Sequence, residues 1–255
     1  MADTAKYSTP AIHMGVLRGI EEIRPNISGK HLDIGSGDGS LIHLLGQHFK
    51  LDSSACDYID SLMELAGQKV DVVNLDLEPL PYPDGTFDLI TFTEVIEHVE
   101  NHRAVLREIQ RVLKPGGVVL ITTPNILNLK SRLRFLFFGF WNLFGPLHIS
   151  ASDKYSTGGH INPISYFYLC HSLHDAGLAP GYSGIDKAQR SSIPALLLLW
   201  LPISLLSRRA MAREERKYRT VDETNKPIVK EMNRWRMLLG RTIVVAAEKS
   251  AMNQN

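Results

Sequence analysis

The sequence predicts an α/β protein whose parallel sheet is covered by helices on both faces. Three observations predict this class. Strand-like and helix-like segments alternate between residues 31 and 123. A glycine-rich turn joins the first of these strands to the helix that follows it. The composition, 44% hydrophobic and 22% charged, is that of a globular protein, and 255 residues suit one such domain with additional segments.

The order of elements follows from the spacing of the apolar residues. Apolar positions three and four residues apart predict helices, and short apolar runs bounded by turn residues predict strands. The predicted elements are helices over residues 10–24, 41–49, 61–68 and 101–113, and strands over 31–34, 70–75, 87–93 and 118–122, with one further strand ending at 57. The Pro-Gly-Gly run 115–117 ends the last of these helices.

The alternation stops after Thr123. An aromatic-rich segment is followed by a helix that we expect Asn162 to cap and Gly177 to close, and two strands, 178–185 and 242–247, complete the pattern. An insertion of roughly fifty residues separates those strands. We expect one domain over residues 1–255, with a core formed by 26–125, 162–187 and 241–249 and cap segments formed by 126–161 and 188–240.

The charge is unevenly distributed along the chain. The net charge of +1 argues against nucleic acid as the main partner. Residues 1–127 carry 10 basic and 18 acidic side chains, whereas residues 128–255 carry 18 and 9. This asymmetry indicates an acidic or membrane-surface partner for the second half.

Two apolar segments in the second half are flanked by basic residues. One is the aromatic segment 135–144, and the other is the uncharged run 191–207, which is shorter than the ~20 apolar residues that cross a bilayer. Apolar residues beside a basic cluster are typical of an interfacial membrane element, although a helical subdomain or a dimer interface would have the same pattern. Because residues 1–10 also lack the apolar core of a signal peptide, we expect a cytoplasmic protein, with the inner face of the membrane as an alternative location.

The segment 31–40 carries the clearest chemical signal. An apolar strand ends in Gly35, Gly37 and Gly39 at alternate positions and then enters a helix. Glycine has no Cβ and tolerates positive φ, so a ligand can approach this backbone closely. Asp33, two residues before the first glycine, suits a ligand that carries a cationic amino group.

The same turn disfavours a nicotinamide oxidoreductase. Ser40 occupies the position of the last glycine in the dinucleotide fingerprint. Asp38 would also face a pyrophosphate unfavourably.

Acidic residues end the next two predicted strands. Asp57 ends the second, and a carboxylate there can accept both hydroxyls of a ribose. Asp76 follows the third and can accept an adenine amino hydrogen beside the apolar Leu77, although a solvated turn acid would have the same pattern.

Together, these features resemble the class I S-adenosylmethionine-dependent methyltransferases over residues 30–123. The residues 32–39 look like the first motif of that family, and residues 80–88 look like its linker into the fourth strand. Three further segments, 94–99, 113–117 and 122–125, are similar to the methyltransferase type 11 branch that contains ubiquinone-biosynthesis O-methyltransferases.

The resemblance implies a Rossmann-like fold with a seven-stranded, mostly parallel sheet, an antiparallel last strand and helical cap insertions. It implies S-adenosyl-L-methionine as the cofactor and S-adenosyl-L-homocysteine as the product, and we assign no residue to a metal. The cofactor-binding residues that it implies are Asp33, Gly35, Ser36, Gly37, Asp57, Tyr58, Asp76, Leu77, Thr93 and Glu94.

Methyl transfer requires the acceptor atom, the methyl carbon and the sulfur to lie in line, and such positioning can supply ~7–11 kcal/mol. An oxygen acceptor must also lose a proton, for which histidine is the usual base. The candidate bases are His160, His98 and His148, each of which could instead be structural.

We therefore expect an enzyme that methylates a small-molecule or lipid- or glycan-linked acceptor, at oxygen. The alternatives are N- or C-methylation of a soluble metabolite, and a non-catalytic protein that binds S-adenosylmethionine. The sequence identifies neither the acceptor nor the oligomeric state.

Overall fold

The computed structural model of the protein describes residues 8–147 and 159–251. Its helices are α1 (Pro10–Ile23), α2 (Ser40–His48), α3 (His102–Val112), α4 (Leu129–Phe138), α5 (Tyr166–Asp175), α6 (Ile193–Arg213), α7 (Lys226–Glu231) and α8 (Trp235–Leu239). Its strands are β1 (Ser28–Ile34), β2 (Lys50–Asp57), β3 (Val70–Val72), β4 (Phe87–Thr93), β5 (Leu113–Pro124), β6 (Leu178–Ile185) and β7 (Thr242–Lys249).

The seven strands form one sheet in the order β3-β2-β1-β4-β5-β7-β6. Strands β1 to β5 pair in parallel, whereas β7 is antiparallel to both of its neighbours, β5 and β6. The predicted fold class is therefore confirmed, including the antiparallel last strand.

The sheet brings the carboxyl ends of three strands together. At the end of β1, Ile34 pairs with Cys56 on one side and with Phe92 on the other. The strand order reverses at β1, because β2 and β3 lie on one side of it and β4 and β5 on the other. In open α/β sheets, ligands bind in the crevice at such a reversal, outside the carboxyl ends of the strands.

Helices cover both faces of the sheet, as the sequence predicts. On one face, Val16 of α1 and Leu45 of α2 pack with Leu120 and other sheet residues in one buried cluster. On the opposite face, Leu106 of α3 and Leu173 of α5 belong to a second and larger cluster. Burial of these apolar faces is the main favourable term for folding, and it fixes the strand ends that carry the candidate site.

The prediction of a helix over 61–68 is wrong. This segment forms a series of turns, in which the N–H of Met63 bonds to the carbonyl of Asp60 and the N–H of Gln68 to that of Leu65. Helices this short are marginal on their own, and Gly67 adopts a φ of +79°. A tertiary contact also holds the segment, since the N–H of Glu64 donates to the carbonyl of Asp38 in the glycine turn at 3.2 Å.

The helix predicted to start at Asn162 begins instead at Tyr166. The backbone N–H of Asn162 donates to the carbonyl of Glu97 at 3.0 Å, and its side-chain amide donates to the carbonyl of Val99. These bonds hold Asn162 against the loop after β4, four residues before the helix begins, and Ser165 occupies the N-cap position instead. Gly177 lies just beyond the helix end with a φ of +79°, as predicted.

The uncharged run 191–207 lies within a continuous helical stretch, Arg190–Tyr218, which consists of a 3₁₀ turn, α6 and a π turn. Pro194 lies in the first turn, where its missing N–H costs nothing, and Pro202 is accommodated inside the helix. None of the α6 residues is buried. Among the described residues, this stretch alone is long and apolar enough to cross a membrane, judged by length and composition only.

Candidate functional site

The glycine-rich turn between β1 and α2 forms the centre of the site. Gly35, Gly37 and Gly39 all adopt positive φ, at +74°, +51° and +79°, which side chains with a Cβ rarely adopt. A Cβ at Gly35 would overlap Val95, whereas a Cβ at Gly37 would meet nothing within 4 Å. The turn thus packs against the segment after β4 on one side and leaves open space beside Gly37.

Asp57 at the end of β2 holds this turn in place. Its Oδ2 accepts a hydrogen bond from the N–H of Gly37 at 2.9 Å, and its Oδ1 accepts one from the N–H of Tyr58 at 2.6 Å. An ionised carboxylate has about four acceptor positions, so Asp57 can still accept the hydroxyls of a ribose. Sequence reasoning assigned the ribose contact but missed this bracing of the loop.

Asp33 lies inside the sheet, where β1 pairs with β4. Its side chain is buried, and Oδ1 accepts a hydrogen bond from the hydroxyl of Thr91 at 2.6 Å. Burial raises the pKa of Asp33 to about 7, although the hydrogen bond from Thr91 acts in the opposite direction. A cationic amino group nearby would favour the ionised form.

A buried polar chain extends from Asp33 towards β2. Nε2 of His31 lies 2.9 Å from Oγ1 of Thr91, and its Nδ1 lies 3.0 Å from Oγ of Ser53. Because Thr91 donates to Asp33, we assign the proton of His31 to Nε2, which donates to Thr91. Burial lowers the pKa of His31 to about 3, so the imidazole is neutral. This chain was not predicted from the sequence.

Three of the predicted residues, Tyr58, Asp76 and Leu77, follow the ends of β2 and β3. The N–H of Val73 joins these two strand ends by donating to the carbonyl of Asp57 at 2.9 Å. Oδ1 of Asp76 accepts a hydrogen bond from the N–H of Glu100 at 2.7 Å. Leu77 is 80% exposed and Tyr58 is 42% exposed. Exposed apolar side chains at this edge offer contact area to an aromatic ring such as adenine.

Two buried hydroxyls at the site have no hydrogen-bond partner among the described residues. They are Oγ of Ser36 in the glycine turn and Oγ1 of Thr93 at the end of β4. Buried polar groups are normally satisfied by protein, water or ligand. Together with the space beside Gly37, these two hydroxyls fit a polar ligand bound against the turn.

Glu94 follows β4 in a left-handed conformation, with a φ of +55°. Its N–H donates to Oγ1 of Thr122 at 3.1 Å, and the Thr122 hydroxyl donates to Oε1 of Glu94 at 2.9 Å. Burial raises the pKa of Glu94 to about 7. A residue other than glycine in this conformation is uncommon and is found mainly where the surrounding structure enforces it, including at functional sites.

The structure brings together His98 and His160, which are far apart in the sequence. Their ring centroids lie 4.7 Å apart with an interplanar angle of 80°, and Phe144 packs 5.3 Å from His160. Burial lowers the pKa of His160, which favours its neutral form near neutral pH. The third candidate base, His148, lies outside the described residues.

Glu97 is a residue of the site that sequence reasoning missed. It is fully buried, and its Oε2 accepts a hydrogen bond from the hydroxyl of Thr123 at 3.1 Å. One potential ligand atom from each of Glu97, His98 and His160 lies within 4.8 Å of the other two. The adjacent Glu97 and His98 were visible in the sequence, but nothing there pairs them with His160.

Comparison with known proteins gives a family match over most of this chain. A family model described as a methyltransferase domain matches residues 15–180. The ubiquinone/menaquinone biosynthesis C-methyltransferase of Desulfotalea psychrophila is 34% identical over 110 residues, which cover 40% of this chain and 45% of the relative. The demethylmenaquinone methyltransferase of Bacillus licheniformis is also 34% identical over 110 residues, which cover 39% of this chain and 47% of the relative. The chain thus spans less than half the length of these relatives.

A solved structure extends the likeness of the fold to nearly the whole chain. The S-adenosylmethionine-dependent methyltransferase from Archaeoglobus fulgidus superimposes with a TM-score of 0.56 at 15% identity, covering 92% of this chain and 93% of that chain.

Proposed function

This chain belongs to the methyltransferase-domain family, within the class I S-adenosylmethionine-dependent methyltransferases, and we propose that it transfers the cofactor's methyl group to a hydroxyl oxygen of a small-molecule or lipid-linked acceptor. One observation carries the choice of oxygen. His98 and His160 lie together beyond the end of β4, and His98 belongs to a segment whose Val95 packs against Gly35 of the turn.

The residues around the glycine turn fit the cofactor. Asp57 would accept the ribose hydroxyls, and the exposed Leu77 and Tyr58 would contact adenine, with Asp76 accepting an adenine amino hydrogen. The hydroxyls of Ser36 and Thr93, which have no partner in the described part of the chain, would bond polar groups of the cofactor. The carboxylate of Asp33 would attract its amino group. Gly35, Gly37 and Glu94 shape the backbone around it. When bound, S-adenosylmethionine supplies a methyl group on a sulfonium, which needs alignment more than covalent assistance.

The two histidines would promote loss of the proton from the acceptor hydroxyl. In the simplest form one of them accepts that proton as a general base, because burial keeps His160 neutral. Glu97 packs beside them.

C-methylation is the second candidate, because the relative from Desulfotalea psychrophila is named a C-methyltransferase. Ionisation of a ring hydroxyl also makes the neighbouring ring carbon nucleophilic, so the same histidines would serve that reaction.

We further propose that the second half of the chain associates peripherally with an anionic membrane. Helices α4 and α6 expose large apolar side chains, with Phe137 82% and Leu197 79% exposed. Basic residues follow the apolar part of α6, namely Arg208, Arg209, Arg213, Arg216, Lys217 and Arg219. Each basic residue near an anionic surface adds ~1 kcal/mol. This location, at the inner face of the membrane and reached from the cytoplasm, would suit a lipid-linked acceptor.

The domain division is also a proposal. The core segments 26–125, 162–187 and 241–249 would hold the cofactor. The cap segments 126–161 and 188–240 would select the acceptor and meet the membrane.

The function is tested with S-adenosylmethionine that carries a ¹³C-labelled methyl group. The purified chain is incubated with phenolic and hydroquinone acceptors, both soluble and in vesicles, and the products are analysed by NMR. We expect S-adenosylhomocysteine and an O-methyl signal. A C-methyl signal selects the second candidate. Cofactor binding without product from any acceptor would instead favour a non-catalytic binding protein.

A further inference from the structure

We infer that Glu97, His98 and His160 bind one divalent transition-metal ion beyond the carboxyl end of β4. The three side chains offer two imidazoles and one carboxylate, and one ligand atom from each lies within 4.8 Å of the others. The metal site itself does not depend on the proposed function, whereas its effect on the acceptor does.

The strongest evidence is an unsatisfied carboxylate in the interior. Glu97 has no exposed surface, and its Oε1 has no hydrogen-bond partner among residues 8–147 and 159–251. Buried carboxylates are normally paired, hydrogen-bonded or bound to metal, because an isolated buried charge is costly. In the same described part of the chain, Nδ1 of His160 is likewise buried and unpartnered. Two unsatisfied atoms on residues of one cluster, whose potential ligand atoms lie within 4.8 Å of one another, fit a cationic partner bound between them.

The surrounding structure holds these ligands in fixed positions. The hydroxyl of Thr123 orients Glu97 by donating to its Oε2 at 3.1 Å. The N–H groups of Ile161 and Asn162 donate to the carbonyl of Glu97 at 2.9 and 3.0 Å, which attaches the segment carrying His160 to the segment carrying Glu97. Outer partners of this kind orient metal ligands and raise metal affinity.

The donor set selects the kind of ion. Imidazole with a carboxylate suits Zn²⁺, Mn²⁺, Fe²⁺ or Co²⁺, whereas Mg²⁺ and Ca²⁺ prefer oxygen ligands. Three protein ligands leave at least one coordination position open, as in metal sites that bind water or substrate. We therefore expect a transition metal with room for one acceptor oxygen.

This assignment changes how the histidines would act in the proposed reaction. Zn²⁺ in an enzyme site can lower the pKa of a bound water from 15.7 to about 7, so an acceptor hydroxyl on such an ion would lose its proton to solvent more readily than the free hydroxyl. The oxygen then forms a bond to the methyl carbon as the sulfur–methyl bond breaks, and S-adenosylhomocysteine leaves. His98 and His160 would be ligands in this scheme and would not serve as the base.

Metal binding is tested without turnover. The full chain is stripped with a chelator and titrated separately with Zn²⁺, Mn²⁺ and Mg²⁺ by calorimetry, and Co²⁺ binding is followed by its visible absorption. We expect one transition-metal ion per chain and at least tenfold weaker Mg²⁺ binding. Glu97→Gln, His98→Ala and His160→Ala should each weaken binding at least tenfold, with the Co²⁺ spectrum lost or altered.

The matched control is His43→Ala, which removes an exposed histidine on α2 and should leave the affinity unchanged. Because His98 and His160 are only partly buried, their variants remain informative if Glu97→Gln fails to fold. Absence of stoichiometric transition-metal binding to the wild type, or full retention by both histidine variants, would overturn the site. Metal binding without methyl transfer would contradict only the proposed function. Methyl transfer that survives chelation would contradict only the role of the metal ion in that reaction.

Discussion

The carboxylate of Asp57 accepts a hydrogen bond from the backbone N–H of Gly37 at 2.9 Å, across a separation of 20 residues. This bond connects the end of β2 to the glycine turn after β1. A residue predicted to contact the cofactor therefore also holds the backbone against which the cofactor would lie.

Replacement of Asp57 by alanine should weaken S-adenosylmethionine binding at least tenfold. The change removes a charged acceptor, and hydrogen bonds to charged groups contribute roughly 1.5–3 kcal/mol, with 1.4 kcal/mol equal to a factor of ten. Calorimetry measures the effect, and Asp52→Ala on the exposed part of β2 is the control. An unchanged dissociation constant for Asp57→Ala would refute the ribose assignment.

His98→Ala and His160→Ala should lower kcat without changing the affinity for the cofactor. The histidines act on the acceptor, either by accepting its proton or by holding the metal ion that promotes its loss, and loss of assisted proton transfer by a positioned group typically costs 10²–10⁴-fold. Steady-state kinetics with the acceptor found above gives kcat, and calorimetry gives cofactor affinity. His43→Ala should behave as the wild type. If both variants retain normal kcat, the acceptor is already nucleophilic when it binds.

Asp33→Asn should stabilise the protein above pH 7 and have little effect near pH 4. The folded-state pKa of Asp33 is raised to about 7 from 3.8, so the folded form binds a proton more tightly than the unfolded form does. Stability is therefore lost as the pH rises from about 4 to about 7, by at most ~4 kcal/mol at ~1.4 kcal/mol per unit.

Urea unfolding without cofactor at pH 4, 6 and 8 measures this dependence. We expect the advantage of Asp33→Asn in free energy of unfolding to grow across the three values. A constant difference would show that Asp33 does not titrate between them.

The chain should float with anionic vesicles at low salt and be released at high salt. Basic residues on and after α6 supply the attraction, and salt screens it. Reversal of Arg208, Arg209, Arg213 and Arg216 to Glu should abolish flotation. The matched control replaces four exposed basic residues of the first half with Glu, namely Lys30, Lys50, Lys69 and Arg107. This control should still float with anionic vesicles. A wild type that stays soluble with anionic vesicles at low salt would rule out the membrane proposal.

The sequence by itself determined the alternation of strands and helices and the glycine turn, and the family resemblance implied the antiparallel last strand. Gly35, Gly37 and Gly39 belong to one contiguous strand-turn-helix segment, so their spacing was sufficient to predict a turn that tolerates positive φ, which all three adopt. Asp57 was predicted at a strand end, and parallel strands carry their carboxyl ends to one edge of a sheet. Local pattern and parallel pairing were together sufficient for these positions.

Only the tertiary structure decided the conformation of residues 61–68, the start of α5 and the grouping of Glu97 and His98 with His160. The turns over 61–68 and the start of α5 at Tyr166 depend on partners outside each segment. The carbonyl of Asp38 receives the N–H of Glu64, and the carbonyl of Glu97 receives the N–H of Asn162. The cluster of Glu97, His98 and His160 lies where that same bond attaches one loop to another. The periodicity of apolar residues indicates which face of a helix or strand is buried. It contains no information about which distant residue contacts that face.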